Sequence, residues 1–456
     1  MLLQTLTIAR TTFTEALRQP VLLLMVLAGG VLQVFNTWGT GFAMGQEETS
    51  EVVGDNKLLL DVGLATVFVL GTLLAGFIAT AVMSREIENK TVLTIISKPV
   101  SRPTLVLGKY LGVAGAILAA MIVMLVYLLF SIRHEVMSTA SDELDKPVLL
   151  FALGSTALAL ILAGWCNFFY GWSFPQTAMV LLVPFTLLGY LGVLLLSKKW
   201  ELQSFSTDFK PQITMACICL TLAVMVLVSV ATAASTRLGQ VMTIVVCFGV
   251  FVASLFSNTL IGRHVFRNEL LGTITKVEPV DPSRPAFESA ESALRIELEN
   301  ASRRPLSTGQ AFFYSPSPSG FPMMGTRRYG DFAGDTKSVG AMSARDVVPS
   351  IIITETQPPF KQMVVRNIGP GETGVPIIRK PEAGDYVFKS FTSTNTVALA
   401  AWGALPNLQY YWLLDAISQN RPVPARYFFT AAGYALAQIG VFLSLAVLLF
   451  QKRDVG

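Results

Sequence analysis

Eight apolar stretches decide what this chain can fold into. They run over about 20–37, 58–83, 104–131, 147–170, 175–196, 212–234, 238–259 and 427–449. A helix needs about 20 apolar residues to cross the hydrocarbon core of a bilayer. Charged residues make up only 14% of the chain, against about 25% in an ordinary soluble domain. The expected fold is an all-α polytopic membrane protein of about eight transmembrane helices.

The most informative stretch is not apolar. Residues 84–109 form a short charged segment between the second and third runs. It carries Arg85, Lys90, Lys98, Arg102 and Lys109 against Glu86 and Glu88. Under the positive-inside rule this segment faces the cytoplasm. A compact, charged, helix-capable loop there is a surface on which something could push.

That orientation is propagated by counting spans. Residues 2–18 repeat apolar side chains at Leu2, Leu6, Ala9, Phe13 and Leu17, with Arg10, Glu15 and Arg18 among the polar positions. Residues 1–19 therefore read as an amphipathic helix lying in the membrane interface, with no signal-peptide cleavage pattern. Loop 38–57 holds Glu47, Glu48, Glu51 and Asp55 against Lys57, which suits the outer side. An even span count puts both termini in the cytoplasm. Lys198, Lys199 and Lys210, and also Arg263, His264 and Arg267, fall on the outer side and run against the charge bias.

Residues 260–395 are a different material. Thirteen of the chain's 23 prolines lie there, and no run could span a membrane. Leu294, Ile296 and Leu298 alternate with charged residues, as in a strand. Residues 350–355, 362–366 and 385–391 also read as strands, with turns at 315–320, 369–371 and 380–384. The expectation is an inserted β-rich extracytoplasmic domain, a sandwich with a loose loop at about 315–345. The domain borders on this reading are 1–19, 20–259 with the coupling loop at 84–103, 260–395, and 396–456 for a re-entry segment and the last span.

Several chemistries leave no mark. Gly108 and Lys109 are followed by Tyr110, and Pro103 stands where a phosphate-binding loop needs its first glycine. There is no His-Glu-x-x-His metal motif and no Gly-x-Ser-x-Gly nucleophile elbow. His134 and His264 sit at span ends and read as interfacial polar residues. Cys166, Cys217, Cys219 and Cys247 all lie in apolar runs and read as packing residues. A formal charge of +4 without a basic aromatic patch gives no reason to expect nucleic acid. Asp61 and Lys109 are ionisable residues inside spans, each close to an end from which it can reach the interface.

Between the second and third spans the sequence resembles the permease subunits of type-2 ABC exporters. The residues that carry the resemblance are Arg85, Glu86, Glu88, Thr91, then Pro99, Val100, Ser101 and Arg102, then Gly108 and Lys109 opening the next span. The N-terminal helix is similar to that family's interfacial elbow helix. The turn 235–240 resembles its second inner contact. Leu405, Pro406, Asn407, Leu408 and Gln409, then Asp415 and the end of the last span, fit a subgroup of these permeases. The family norm is six spans; the helical pair at 147–196 and the 260–395 domain are additions.

The resemblance implies a coupling helix that docks on a separate cytoplasmic ABC ATPase subunit. The implied contact residues are Arg85, Glu86, Glu88, Thr91, Arg102 and Arg237. It also implies a second permease subunit, identical or not, and a place in the cytoplasmic (inner) membrane. ATP would bind the partner, and no cofactor or metal is expected in this chain. The competing expectation is an envelope-assembly or sensor scaffold that binds a partner through its outer domain without moving substrate.

Overall fold

The computed structural model of the chain describes residues 2–40, 51–88, 101–136, 144–284, 286–302, 304–371, 373–414, 417 and 423–451, and of 51–55 and 83–88 the helical backbone alone. Two units pack separately. One holds Met1–Leu255 and Pro406–Gly456, the other Phe256–Leu405.

The first unit is helical. A short helix α1 (Leu2–Leu17) precedes α2 (Pro20–Gly39), α3 (Glu51–Glu88), α4 (Arg102–His134), α5 (Lys146–Tyr170), α6 (Phe174–Leu194), α7 (Pro211–Ser235), α8 (Gln240–Leu255) and a final α9 (Ala425–Gln451). Among the described residues seven helices are long and apolar enough to cross a membrane, and eight if α8 and the short helical piece after it form one span. The sequence places helix starts where the physics asks for them. Proline, which lacks the N–H that a first turn cannot use, opens α2, α4, α5, α6 and α7. Ser101 caps α4 by accepting from the Thr104 amide, and Asp145 caps α5 by accepting from that of Val148. Gly171, with φ of +66°, closes α5 in the left-handed conformation that glycine adopts at no cost.

Successive helices alternate between two ends of this unit. The lower end gathers the end of α3, the starts of α4 and α8, and the last residues of α9. The upper end gathers the turn after α4, the start of α5 and the loop 195–210. There Asn36 donates to the Leu59 carbonyl and Lys198 pairs with Glu135. The chain leaves the unit after Leu255 and returns at Pro406, where the Gln409 side chain donates to the Leu255 carbonyl. On its return Leu408, Tyr411, Leu413 and Leu414 are buried in the helical core.

α1 departs from the apolar stripe read in its sequence. Its packed face is made of Thr5, Ile8, Ala9, Thr12 and Phe13 against α4, while Leu2 and Leu6 are exposed. The reason is close approach. Gly108, Gly112 and Gly115 of α4 leave no room for side chains, so small and β-branched residues of α1 sit directly on the α4 backbone.

The second unit is a six-stranded antiparallel sheet. Its strands are β1 (Leu270–Pro279), β2 (Ala293–Leu298), β3 (Phe313–Ser315), β4 (Ser350–Thr356), β5 (Gln362–Ile368) and β6 (Tyr386–Phe388), in the order β3-β6-β1-β2-β5-β4. The residues just before β3 pair with β4: the amides of Gly309 and Phe312 donate to the carbonyls of Ile353 and Ile351, and that of Ile353 to Gln310. One continuous stretch, 309–315, thus touches both edges and rolls the sheet into a barrel. This replaces the expected sandwich: a single sheet that closes on itself removes its own edges. β2 shows the expected alternation, with Leu294, Ile296 and Leu298 buried and Arg295 exposed. β4 does not alternate because both its faces are covered; Ile351 and Ile353 join the main core, and Ile352 packs with Ala290, Met342 and Ile368. The stretch 315–345 is not loose either: Met323, Met324, Tyr329 and Met342 are all buried.

Candidate functional site

α3 is continuous from Glu51 to Glu88, 38 residues. At 1.5 Å per residue it is about 57 Å long, roughly twice the hydrocarbon thickness. Arg85, Glu86 and Glu88 therefore ride on the projecting last turn of a long helix, not on a separate short one. Thr91 lies outside the described residues, as does the rest of 89–100. The chain resumes at the Ser101 cap of α4.

Two of the expected contact residues come together at the end of α9. Arg102 Nη1 donates to the carbonyls of Gln451 (2.7 Å) and Phe450 (3.3 Å). Its guanidinium also lies 5.8 Å from the centre of the Phe450 ring. Arg237, in the turn after α7, donates through Nε to the Leu449 carbonyl at 2.9 Å. The last carbonyls of a helix have no partner within it, and a cation there also meets the negative end of the helix dipole. Beneath these bonds Phe450 is buried among Leu105, Val106, Ala233 and Ala446. Helices α4, α7 and α9 are thus locked at one point.

α1 is fixed to the same region. A Cβ on Gly112 would lie 2.5 Å from Thr12 Cβ and 2.6 Å from the Ala9 carbonyl oxygen. One on Gly108 would lie 2.8 Å from Ile8 Cβ. Lys109, between these glycines, is buried. At the far end of α1, Arg18 Nε donates to Gln176 at the start of α6.

The upper end holds a site that the sequence reading did not single out. Arg133 is shared by Asp145 (Nη1 to Oδ2, 2.6 Å) and Asp208 (Nε to Oδ2, 2.8 Å), with Asp145 fully buried. A third donor reaches the Leu196 carbonyl, and Gln203 adds a bond to Asp208. The available signal was the position of Arg133 at the end of a span facing an acidic loop. Beside this triad lies a polar cavity of about 290 Å³ lined by Tyr190, Lys198 and Lys210. A second, apolar cavity of about 360 Å³ lies between α2, α4 and α5, lined by Val31, Val34, Tyr127 and Ala152 among others. His134 borders it and is buried, with Nδ1 donating to the Glu135 carbonyl.

These features define a multi-pass membrane protein whose lower end presents charged helix ends locked together. Comparison with known proteins links part of the chain to a family. The profile of the ABC-2 family transporter proteins matches residues 16–175, which include the charged segment and the first four spans. Over these residues the match supports an ABC-2 type transporter membrane protein. No curated protein matches the chain.

Proposed function

We propose that this chain is the permease subunit of an ABC transporter, an exporter half driven by a separate cytoplasmic ABC ATPase. In this reading it sits in the inner membrane with its lower end in the cytoplasm and Phe256–Leu405 outside. ATP is bound and hydrolysed by the partner, so the chain needs no cofactor of its own. Closure of two ATPase subunits would press on the projecting end of α3 and the segment that follows. The rigid spans would carry that push to a pathway between this chain and a second permease subunit.

One observation carries the reading. The charged segment sits inside the matched family region, and the helix ends around it are fastened to one another. A push there moves several spans at once. Arg85, Glu86, Glu88 and Thr91 are the residues offered to the partner.

The test is reversal of Glu86 and Glu88 together to lysine. Like charges brought together at an interface cost several kcal/mol, about a hundredfold or more in affinity. The variant should still insert, because added positive charge favours the same orientation. The ATPase subunit recovered with the tagged wild-type chain should be lost from it. Full recovery of that subunit with the double variant would remove the segment from the interface and the reading with it.

A further inference from the structure

The lower end of α9 is held by two arginines that come from two different inner segments. Arg102 opens α4 directly after the charged segment, and Arg237 lies in the turn between α7 and α8. Between them they hold three successive carbonyls, Arg102 those of Phe450 and Gln451 and Arg237 that of Leu449. Among the described residues no carboxylate bonds either guanidinium. Helix carbonyls do not distinguish a cation by sequence, so the pairing depends only on where α9 stops. The Phe450 ring fixes that stop, being buried among Leu105, Val106 and Ala233 and lying under the Arg102 guanidinium.

We propose that Arg102 and Arg237 are positioning residues that yoke the last span to the coupling segment. When the segment before Arg102 moves, α9 is drawn with it, because its terminal carbonyls are bonded to the first turn of α4. Arg237 ties the neighbouring Leu449 carbonyl to the second inner turn, so both inner segments act on one helix. α9 is also the span by which the chain returns from the β unit, through residues 406–424. The yoke therefore gives the coupling segment a direct mechanical link to the one span that follows that unit. The transport role of this link rests on the permease reading; the bonds themselves do not.

The geometry separates this role from partner binding. A residue that docks an ATPase turns its donors outward. Arg102 turns Nη1 inward onto two carbonyls and stacks on a buried ring, and Arg237 turns Nε onto a third.

The test uses the full chain in lipid nanodiscs together with the ATPase that co-purifies with it. Three forms are compared: wild type, the pair Arg102→Gln with Arg237→Gln, and the pair Arg102→Lys with Arg237→Lys. Hydrogen exchange at 446–451 should rise about tenfold or more in the glutamine pair, since charge-assisted bonds restrain that turn, and should stay unchanged at 426–436. The lysine pair should lie between, because it keeps the charge and loses the fork. ATPase recovery and ATP hydrolysis should be unaffected in both. A nitroxide on Ser444→Cys, in a Cys166→Ser background, should change its spectrum on addition of ATP in the wild type. In the glutamine pair that change should be lost while hydrolysis continues.

Unchanged exchange at 446–451 overturns the yoke. So does loss of the ATPase from the glutamine pair, which would make the arginines partner contacts, or an ATP response of the label that survives in it. If the glutamine pair loses protection throughout α9, the lysine pair decides: intermediate exchange supports the yoke and wild-type exchange overturns it. If the wild-type chain brings no ATPase, the permease reading fails, and the exchange experiment alone still decides whether the two arginines hold α9.

Discussion

The two ends of the helical unit are fastened with the same side chain in opposite ways. At the upper end one arginine is clasped by two carboxylates and nearly shut off from water. At the lower end two arginines meet neutral backbone carbonyls, and Arg237 stays exposed. The difference is one of reversibility. Opening a buried ion pair leaves a bare charge in a poor solvent, which costs several kcal/mol. Opening a guanidinium–carbonyl bond at an accessible helix end exchanges it for water, at a net cost of about 1.5–3 kcal/mol for a charged donor. The upper end is therefore built to stay shut, and the lower end is the one that can move under load. That is also the end on which the proposed partner pushes.

Removing Asp145 should break the comparison most visibly. It serves twice, as a partner of Arg133 and as the cap of α5. Asp145→Ala leaves Arg133 with Asp208 alone and the first turn of α5 uncapped, a loss of about 3–5 kcal/mol. Thermal unfolding of the purified protein should fall accordingly. Asp145→Asn keeps the cap and should lose less. If Asp145→Ala unfolds with the wild type, the upper clasp does not hold that end together.

Next in size is the seat of α1 on α4. Gly112→Ala puts a methyl 2.5 Å from Thr12 Cβ and 2.6 Å from a backbone oxygen of α1. The backbone oxygen cannot turn aside, so α1 has to lift. Overpacking of this kind costs about 1–3 kcal/mol. Protease cleavage within 2–17 should become faster. Gly249→Ala in α8, where a Cβ meets nothing within 4 Å, is the control. It should be neutral or slightly stabilising, by up to about 1 kcal/mol, since alanine is the better helix former. Equal behaviour of the two variants would show that the close approach is not what holds α1.

How much of this could be read from the sequence differs by the kind of signal. The spans were legible because about 20 apolar residues in a row have few other uses. The Leu294, Ile296 and Leu298 strand was legible for its period of two. β1, the longest strand, was not: register shifts at Leu270/Gly272 and at Ile274/Lys276 break its alternation. The closing stretch 309–315 was missed because its pairing is made by backbone groups. The charged segment 84–109 was legible through its charges, and its coupling role was read from the resemblance. The partners of Arg102 and Arg237 were not, for the same reason as the barrel closure. Their acceptors are main-chain carbonyls, up to 349 residues away, which any residue type would supply. Arg133 and Asp145 are only 12 apart, and that pair was within reach of sequence reasoning.

The smallest expected effect sharpens the contrast from within the upper end itself. Lys198 and Glu135 stand 3.2 Å apart close to the Arg133 triad, yet they are 41% and 47% exposed. An exposed pair gains little from Coulomb attraction in water and loses side-chain freedom, so its worth is about 0–1 kcal/mol. Lys198→Ala should therefore shift thermal unfolding by less than about 0.5 kcal/mol. That shift should disappear in 1 M salt, where charges are screened beyond about 3 Å. The loss from Asp145→Ala should persist there, because its partner is buried. On the proposed orientation Lys198 lies on the side where the charge bias disfavours lysine, and its pairing with Glu135 offsets part of that charge. If Lys198→Ala proves as damaging as Asp145→Ala, and equally so in high salt, the exposed pair belongs to the clasp. Burial would then not be what separates the two ends.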